Sequence, residues 1–377
     1  MRDNLKIIHL ASTKRWTGVA EPMTNLAFHQ KALGCDVFAG FECGRSFEKY
    51  VRALGISVLE GLHLDSRMNP VTIIKDVRIL RRHILALKPD VIHAHLLHDH
   101  WIAVLAVRGI SPRPLIIRTM HRFGAPYADP VHRHLFTRLT DAIIVPSLAM
   151  RRLVLRRHPM LEKSIFVIYG GVNQARFHPG VDGKAMRRSL DIPEDAPVLG
   201  LVSRLRKDRG FDWLFAALPK VFSDIPEARL MIIGRGEMER DIRERIKHPP
   251  FAGRIIMGGY RTHDLPQAYR AMNASLFLAM GSEGSCRAVM EAMASGIPVI
   301  GVRQGVVPEI IKEGETGFIV APNDIHDLAG KISSALSNLS RLEMMGKSAR
   351  SQSAQMFRLL DRAEETIDIY ETLHSRR

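Results

Sequence analysis

Four cations crowd one short stretch: Arg204, Arg206, Lys207 and Arg209 in SRLRKDRGF, at and just past the end of a largely apolar run over 198–205 and before Gly210. Guanidinium and ammonium groups at a strand end, beside the unpaired N–H groups of a following helix, suit phosphate oxygens. A solvated basic turn is the competing reading of each residue. Arg204 and Arg209 stand out because one sits at the strand end and the other at the helix start. Further on, SEGSCRAVMEAMASGIPVIGV (282–302) places Glu283 in a Gly/Ser-rich turn and Glu291 on a helix expected over 286–295. The amides of Ser285, Cys286 and Arg287 at that helix start offer a second phosphate cradle. A carboxylate beside them is suited to accepting hydrogen bonds from hydroxyls. The alternative makes Glu283 an acid at a helix cap, favoured by the dipole, and Glu291 a solvated helix residue.

The first half offers other groups. Gly18, in STKRWTGVAEP, falls in a turn between a strand and a helix. PDVIHAHLLHDHW holds His93, His95, His98 and His100, a density that invites a metal reading. Two of these fall on a strand and two beyond it, with no accompanying cysteine–acid set, so no metal is expected. His121 stands just past an apolar run and is the candidate loop base or hydrogen-bond donor to a ligand. The Gly234-Arg235-Gly236 turn lacks the full dinucleotide fingerprint and is explained equally well by a tight strand-to-helix connection. Arg151, Arg152, Arg156 and Arg157 lie broadly on one side of an expected helix, with Leu153, Val154 and Leu155 as its apolar side. Such a face suits anionic lipid; a helix packed on a sheet with its charges in water is the alternative.

The elements that must position these residues alternate along the chain. Apolar runs at 5–11, 35–41, 90–95, 115–120, 142–147 and 165–171 read as buried strands, with amphipathic stretches at 19–33, 70–87, 98–108 and 130–140 between them. A Pro/Gly-rich passage, GGVNQARFHPGVDG (170–183), follows, and the pattern restarts. Strands are expected at 198–205, 228–234, 254–260, 274–280, 297–302 and 317–320, and helices at 210–223, 236–247, 264–271, 286–295, 324–335, 338–349 and 360–375. This predicts two doubly wound α/β domains, over 1–178 and 179–358, with a final helix in 359–377. Ligands of such folds bind beyond the carboxyl ends of the strands, and a cleft between two facing domains is a natural site.

Bulk properties agree with a globular chain of 377 residues. Its charge is uneven: residues 1–185 hold 27 Lys and Arg against 14 Asp and Glu, and the remainder 27 against 25. A basic first half suits an anionic surface or substrate. Few aromatics and no recognition module argue against specific nucleic-acid binding. Three cysteines, Cys35, Cys43 and Cys286, are too few for a disulfide scaffold and fit a reducing, cytoplasmic setting. MRDNLKIIHLAS reads neither as a signal peptide nor as a span, so membrane contact is expected to be peripheral, on the inner face.

Taken together these stretches resemble the large family of GT-B fold, retaining glycosyltransferases (group 1, or GT4-like) that includes lipopolysaccharide, capsule and phosphatidylinositol mannoside enzymes. The resemblance spans nearly the whole chain. It rests on Glu283 to Glu291; Ser295-Gly296-Ile297-Pro298-Val299-Ile300; Pro308-Glu309-Ile310-Ile311; Gly314-Glu315-Thr316-Gly317-Phe318; and Val167-Ile168-Tyr169-Gly170-Gly171-Val172-Asn173 with Phe177 and Pro179. It implies that Arg204 contacts the donor diphosphate and that Arg209 stands where a lysine is usual. It further implies that Glu291 contacts the nucleotide ribose, Glu283 lies near the transferred sugar, His121 lies at the donor–acceptor junction, and Gly18 lies near the diphosphate and acceptor. The last helix would cross back to the first domain. The chain departs from the usual pattern at Ser285, Cys286 and Arg287, at Gly170 and at Gln304.

The implied function is transfer of a sugar from a nucleotide-diphosphate sugar, UDP-linked by expectation, to a glycan or lipid-linked acceptor. No metal and no cofactor beyond the donor are expected. Nucleotide-sugar 2-epimerases, and a non-catalytic nucleotide-sugar-binding protein, share the same architecture and stand as alternatives.

Overall fold

The computed structural model describes residues 5–13, 19–42, 46–65, 69–124, 129–279 and 283–377, apart from the side chains of 46 and 283–285. The chain divides into two compact units: Met1–Gly171 with Ser282–Gly284 and Leu359–Arg377, and Val172–Gly281 with Ser285–Arg358.

The first unit contains β1 (Lys6–Ala11), α1 (Ala20–Ala32), β2 (Asp36–Phe41), α2 (Ser46–Ala53), β3 (Ser57–Val58), α3 (Pro70–Leu87), β4 (Val91–Ala94), α4 (Leu97–Ala106), β5 (Leu115–Thr119), α5 (Pro130–Arg138), β6 (Ala142–Val145), α6 (Leu148–Arg157) and β7 (Ile165–Val167). The second contains α7 (Lys184–Ser189), β8 (Val198–Val202), α8 (Phe211–Asp224), β9 (Arg229–Ile233), α9 (Glu239–Arg245), β10 (Ile255–Gly259), α10 (Leu265–Arg270), β11 (Ala274–Phe277), α11 (Glu283–Ala294), β12 (Val299–Val302), α12 (Val307–Ile310), β13 (Gly317–Val320), α13 (Ile325–Leu336) and α14 (Leu339–Met356). The final helix, α15 (Leu359–His374), belongs to the first unit and packs along α1.

Both sheets are parallel, in the orders β3-β2-β1-β4-β5-β6-β7 and β10-β9-β8-β11-β12-β13. Parallel strands covered by helices on both faces need apolar side chains on both sides, which is why the strands read as continuous apolar runs. In the first unit, Ile7, Val91 and Ile117 face α1 and α15 with Met23, Ala27, Ile367 and Tyr370. Ile8, Ile92 and Ile116 face α3 and α4 with Leu80, Ile84 and Ile102. Local signals set the helix ends. Asn69 accepts from the Val71 amide with Pro70 at the first position of α3, Asp129 does the same for α5, and Ser147 accepts from the Met150 amide at α6.

The topology matters most for function. In each unit the chain winds outward from a central strand to one edge, then returns to the other side of that strand. The reversals lie between β1 and β4 and between β8 and β11, where the loops leave in opposite directions and open a crevice at the strand carboxyl ends. Four short elements, α2, β3, α7 and α12, are additional to those expected. The expected turn at Glu283 is already helical, since α11 begins there rather than near residue 286. No helix among the described residues is long and apolar enough to cross a membrane.

Candidate functional site

The second unit gathers its basic turn and α11 at the β8/β11 reversal. After β8 the chain is stitched to the turn following β9: the Ser203 amide donates to the Ile233 carbonyl (3.0 Å), the Leu205 amide to that of Arg235 (3.1 Å), and the Met238 amide to that of Leu205 (3.0 Å). Glycines permit this approach. A Cβ on Gly234 would stand 1.8 Å from the Ser203 oxygen, and one on Gly236 2.3 Å from the Leu205 oxygen. The Gly-Arg-Gly turn is therefore a backbone packing device. Leu205 is fully buried, which pins the turn while Arg204 and Arg206 on either side of it remain exposed.

Lys207–Arg209 form a 3-10 turn, and Gly210, at φ +76°, precedes α8 in the left-handed region. A Cβ there would meet that of Leu278 at 2.7 Å. Arg209 is thus held beside the chain that leaves β11 toward α11. Its side chain is one-fifth exposed, with Nε 3.5 Å from Asp208 Oδ1, and the same oxygen lies 3.3 Å from Arg206 Nε.

Glu291 is not a solvated helix residue. It is 5% exposed, and its Oε2 accepts from the Tyr269 hydroxyl at 3.0 Å while Oε1 lies 3.3 Å from Arg287 Nε. Tyr269, on α10, is fully buried, and its hydroxyl also approaches the Ala288 carbonyl (3.2 Å). Burial first, and then the Glu291 charge, hold the Tyr269 phenol well above its ordinary pKa, so it stays a donor. Arg287 is thereby tied to Glu291 rather than loose at the helix start. The Cys286 thiol is buried and its pKa pushed up by burial and by Glu309, so it stays neutral, and its amide lies past the unpaired start of α11. Glu283 and Ser285 open α11, with side chains outside the described residues.

In the first unit, the buried carboxylate of Asp99 ties the reversal together. It accepts from the Ser12 hydroxyl (2.9 Å), the His95 amide (2.9 Å) and the Leu96 amide (2.9 Å). The end of β1 and the start of α4 are therefore one braced corner. Burial raises the Asp99 pKa against the pull of Arg118 and these hydrogen bonds. Gly18, expected near this corner, lies outside the described residues. His121 lies in the loop two residues beyond β5, as expected, but it is 3% exposed and its Nε2 sits 2.9 Å from His95 Nδ1, so it is a fixed, buried imidazole.

The histidine grouping differs from that suggested by the PDVIHAHLLHDHW run. His98 and His100 lie on α4, where His100 bonds Thr140 (2.9 Å). His9 joins His93 and His95 instead, their ring nitrogens within 4.8 Å of one another. Sequence reasoning missed His9. The signal is parity: His9 pairs with His93 in parallel register, and His95 is two residues further on the same face.

The basic helix also differs in detail. Val154 is buried in a core with Met150 and Leu161, so the apolar side of α6 faces inward. Arg152, Arg156 and Arg157 are exposed, and Arg151 leans toward Glu162 at 3.9 Å. Exposed apolar groups are Leu148 at the start of α6, and Met160 and Val131 on adjoining segments.

Residues 182–352 match the family model described as Glycosyl transferases group 1, and residues 16–176 that described as Glycosyltransferase Family 4. The sulfoquinovosyl transferase SQD2 of Arabidopsis thaliana is 27% identical over 75% of the chain, a match that spans 56% of the plant protein, or just over half its length. A glycosyltransferase from Rickettsia africae superposes with a TM-score of 0.87 at 20% identity, over 99% of this chain and all of that one. Anabaena HepE, solved in complex with UDP and glucose, superposes at 0.78 and 20% identity, over 98% of this chain and all of that one. At such identities these structures establish the shared fold.

Proposed function

The chain belongs to the group 1 glycosyltransferases of GT-B fold, and from that membership we propose that it moves a sugar from a nucleotide-diphosphate sugar to a glycan or lipid-linked hydroxyl, with retention at the anomeric carbon. The observation that supports this most is the meeting, at the β8/β11 reversal, of the Arg204–Gly210 turn with the approach to α11. Cations, helix-start amides and a buried carboxylate are there assembled on one edge. Arg204 and Arg209, with the unpaired amides of the first turn of α11 up to Ser285, face the diphosphate; the amides of Cys286 and Arg287, expected to share that role, lie deeper in the helix because α11 begins at Glu283. Glu291 receives ribose hydroxyls, and Glu283 lies near the transferred sugar.

The acceptor side is the first unit, with His121 just beyond β5 at the carboxyl edge of its sheet; Gly18 is assigned to the same side by the family resemblance alone. As the bond from anomeric carbon to phosphate oxygen breaks, negative charge grows on the departing diphosphate and the arginines offset it. The acceptor oxygen bonds to the anomeric carbon on the same face, and its proton passes to the leaving phosphate oxygen. No protein nucleophile is needed, and the arginines supply the electrostatic role a metal ion would otherwise fill. UDP is the expected leaving group; the HepE complex with UDP supports that choice.

The test is a calorimetric screen of UDP-, GDP- and ADP-sugars, followed by mass analysis of products with lipid and glycan extracts. Binding of one donor and acceptor-dependent transfer are expected. Sugar turnover without any acceptor would mean epimerisation, and binding without transfer to any extract a non-catalytic protein.

The exposed arginines of α6 fit an acceptor presented at an anionic membrane, approached from the cytoplasmic side. Each basic contact near such a surface is worth about 1 kcal/mol. Changing Arg151, Arg152, Arg156 and Arg157 to Gln is therefore expected to weaken binding to phosphatidylglycerol vesicles by roughly 100- to 1,000-fold at low salt. Equal sedimentation of both proteins with the vesicles would remove this surface from consideration.

A further inference from the structure

A polar seam crosses the otherwise apolar interface between the first sheet and helices α1 and α15. Its main line runs from Gln30 on α1 to His121 beyond β5. Gln30 Oε1 lies 2.7 Å from His9 Nε2, His9 Nδ1 lies 3.0 Å from His95 Nε2, and His95 Nδ1 lies 2.9 Å from His121 Nε2. The rings of His95 and His121 stack at 5.1 Å. All four groups are almost wholly buried.

We infer that Gln30, His9 and His95 act as positioning residues that fix the tautomer of His121, the candidate group at the reacting end of this unit. A neutral imidazole has one donor and one acceptor nitrogen, so a line of them has a single polarity. The Gln30 carbonyl oxygen accepts, so His9 must carry its proton on Nε2. His9 Nδ1 then accepts from His95 Nε2–H, and His95 Nδ1 accepts from His121 Nε2–H. Nδ1 of His121 is left as its acceptor nitrogen. A carboxamide turned the other way would reverse every proton in the line and make that nitrogen a donor.

Burial supports the neutral state: it lowers the His9 pKa to about 4 and holds His95 well below its ordinary value. His93 stands beside the line but not in it. Its two nitrogens face the hydroxyls of Tyr370 (2.5 Å) and Thr119 (2.6 Å), which donate or accept alike and impose no polarity. The cluster of His9, His93 and His95 is a weak metal cage for two reasons. Their ring nitrogens are already engaged by protein groups, and the positive charges of Arg118 and Arg362 bear on them.

The catalytic value of this tautomer rests on the proposed function; the tautomer itself does not. The protein, labelled with nitrogen isotope in its histidines, is examined by long-range proton–nitrogen correlation spectroscopy. Nε2–H tautomers at His9, His95 and His121 are expected, and an Nδ1–H tautomer at any of them overturns the inference. Gln30→Met, of similar length but with no carbonyl, should scramble the His121 tautomer. It should also lower kcat about tenfold with donor KM within about twofold. Thr119→Val, which removes a bond from His93 alone, should leave the His121 signals as they are. An unchanged His121 in Gln30→Met, an equal change in both variants, or zinc retained stoichiometrically by the purified protein each defeats it. Absence of transfer activity alongside the expected tautomers would count against the glycosyltransferase reading alone.

Discussion

Glu291→Ala is expected to weaken nucleotide-sugar binding by roughly 30- to 300-fold. Hydrogen bonds to an ionised acceptor contribute about 1.5–3 kcal/mol each, and a carboxylate that meets ribose hydroxyls makes one or two. What makes the loss large here is that Glu291 is already fixed. Tyr269 and Arg287 hold one oxygen each, so a ligand meets a carboxylate whose ordering has been accomplished by the fold. The same residues set the cost to stability. Truncation leaves the buried Tyr269 hydroxyl with the Ala288 carbonyl as partner and releases Arg287, which already reaches solvent, so a loss of about 1–2 kcal/mol is expected. Glu291→Gln keeps an acceptor toward Tyr269 and should fall between the two proteins in affinity. Titration calorimetry with the free nucleoside diphosphate and with the donor separates the effects from thermal unfolding. Unchanged nucleotide affinity together with a lowered melting temperature would reduce Glu291 to a structural residue.

Glu291 also shows what was legible in the sequence and what was not. Its position on a helix following a strand could be read from periodicity. Its burial could not, because the partner that makes burial tolerable, Tyr269, comes from a different helix and is recruited by sheet order. The same limit hid the histidine line. His93 and His95 drew attention as neighbours in sequence, but His9 and Gln30 belong with them through parallel register and helix packing, which no local pattern encodes. Strands were readable wherever both faces are buried, as in β1, β4 and β8, because such strands are uninterrupted apolar runs. β3, of two residues at the sheet edge, has no such run. The start of α11 was missed because Gly284 and Ser285 signal a turn in isolation, whereas here they lie inside the first turn of the helix. Of the motifs that carried the family resemblance, Glu283 to Glu291 follows β11 at the reversal of the second sheet, whereas Pro298 leads into β12 at the opposite end of the strands and serves the fold.

Arg204→Ala tests the chemical step rather than binding, and about a 100- to 1,000-fold loss of kcat is expected, the range found when one preorganised donor to a developing charge is removed. The turn that carries Arg204 does not depend on its side chain. Leu205 is buried, its amide is bonded to Arg235, and its carbonyl receives the Met238 amide. Arg204 itself is exposed, so stability should change by no more than about 0.5 kcal/mol. On the proposed reading the ground-state diphosphate charge is shared among Arg204, Arg209 and the α11 amides, and loss of one member should raise donor KM only a few-fold. In the transition state the leaving diphosphate gains charge, and a guanidinium aimed at it gains most. Arg204→Lys keeps the charge but loses the planar fork, and should recover part of the rate. The outcome that would sink this division of labour is a large rise in donor KM with kcat unchanged, since Arg204 would then serve donor and transition state equally and contribute nothing specific to bond breaking.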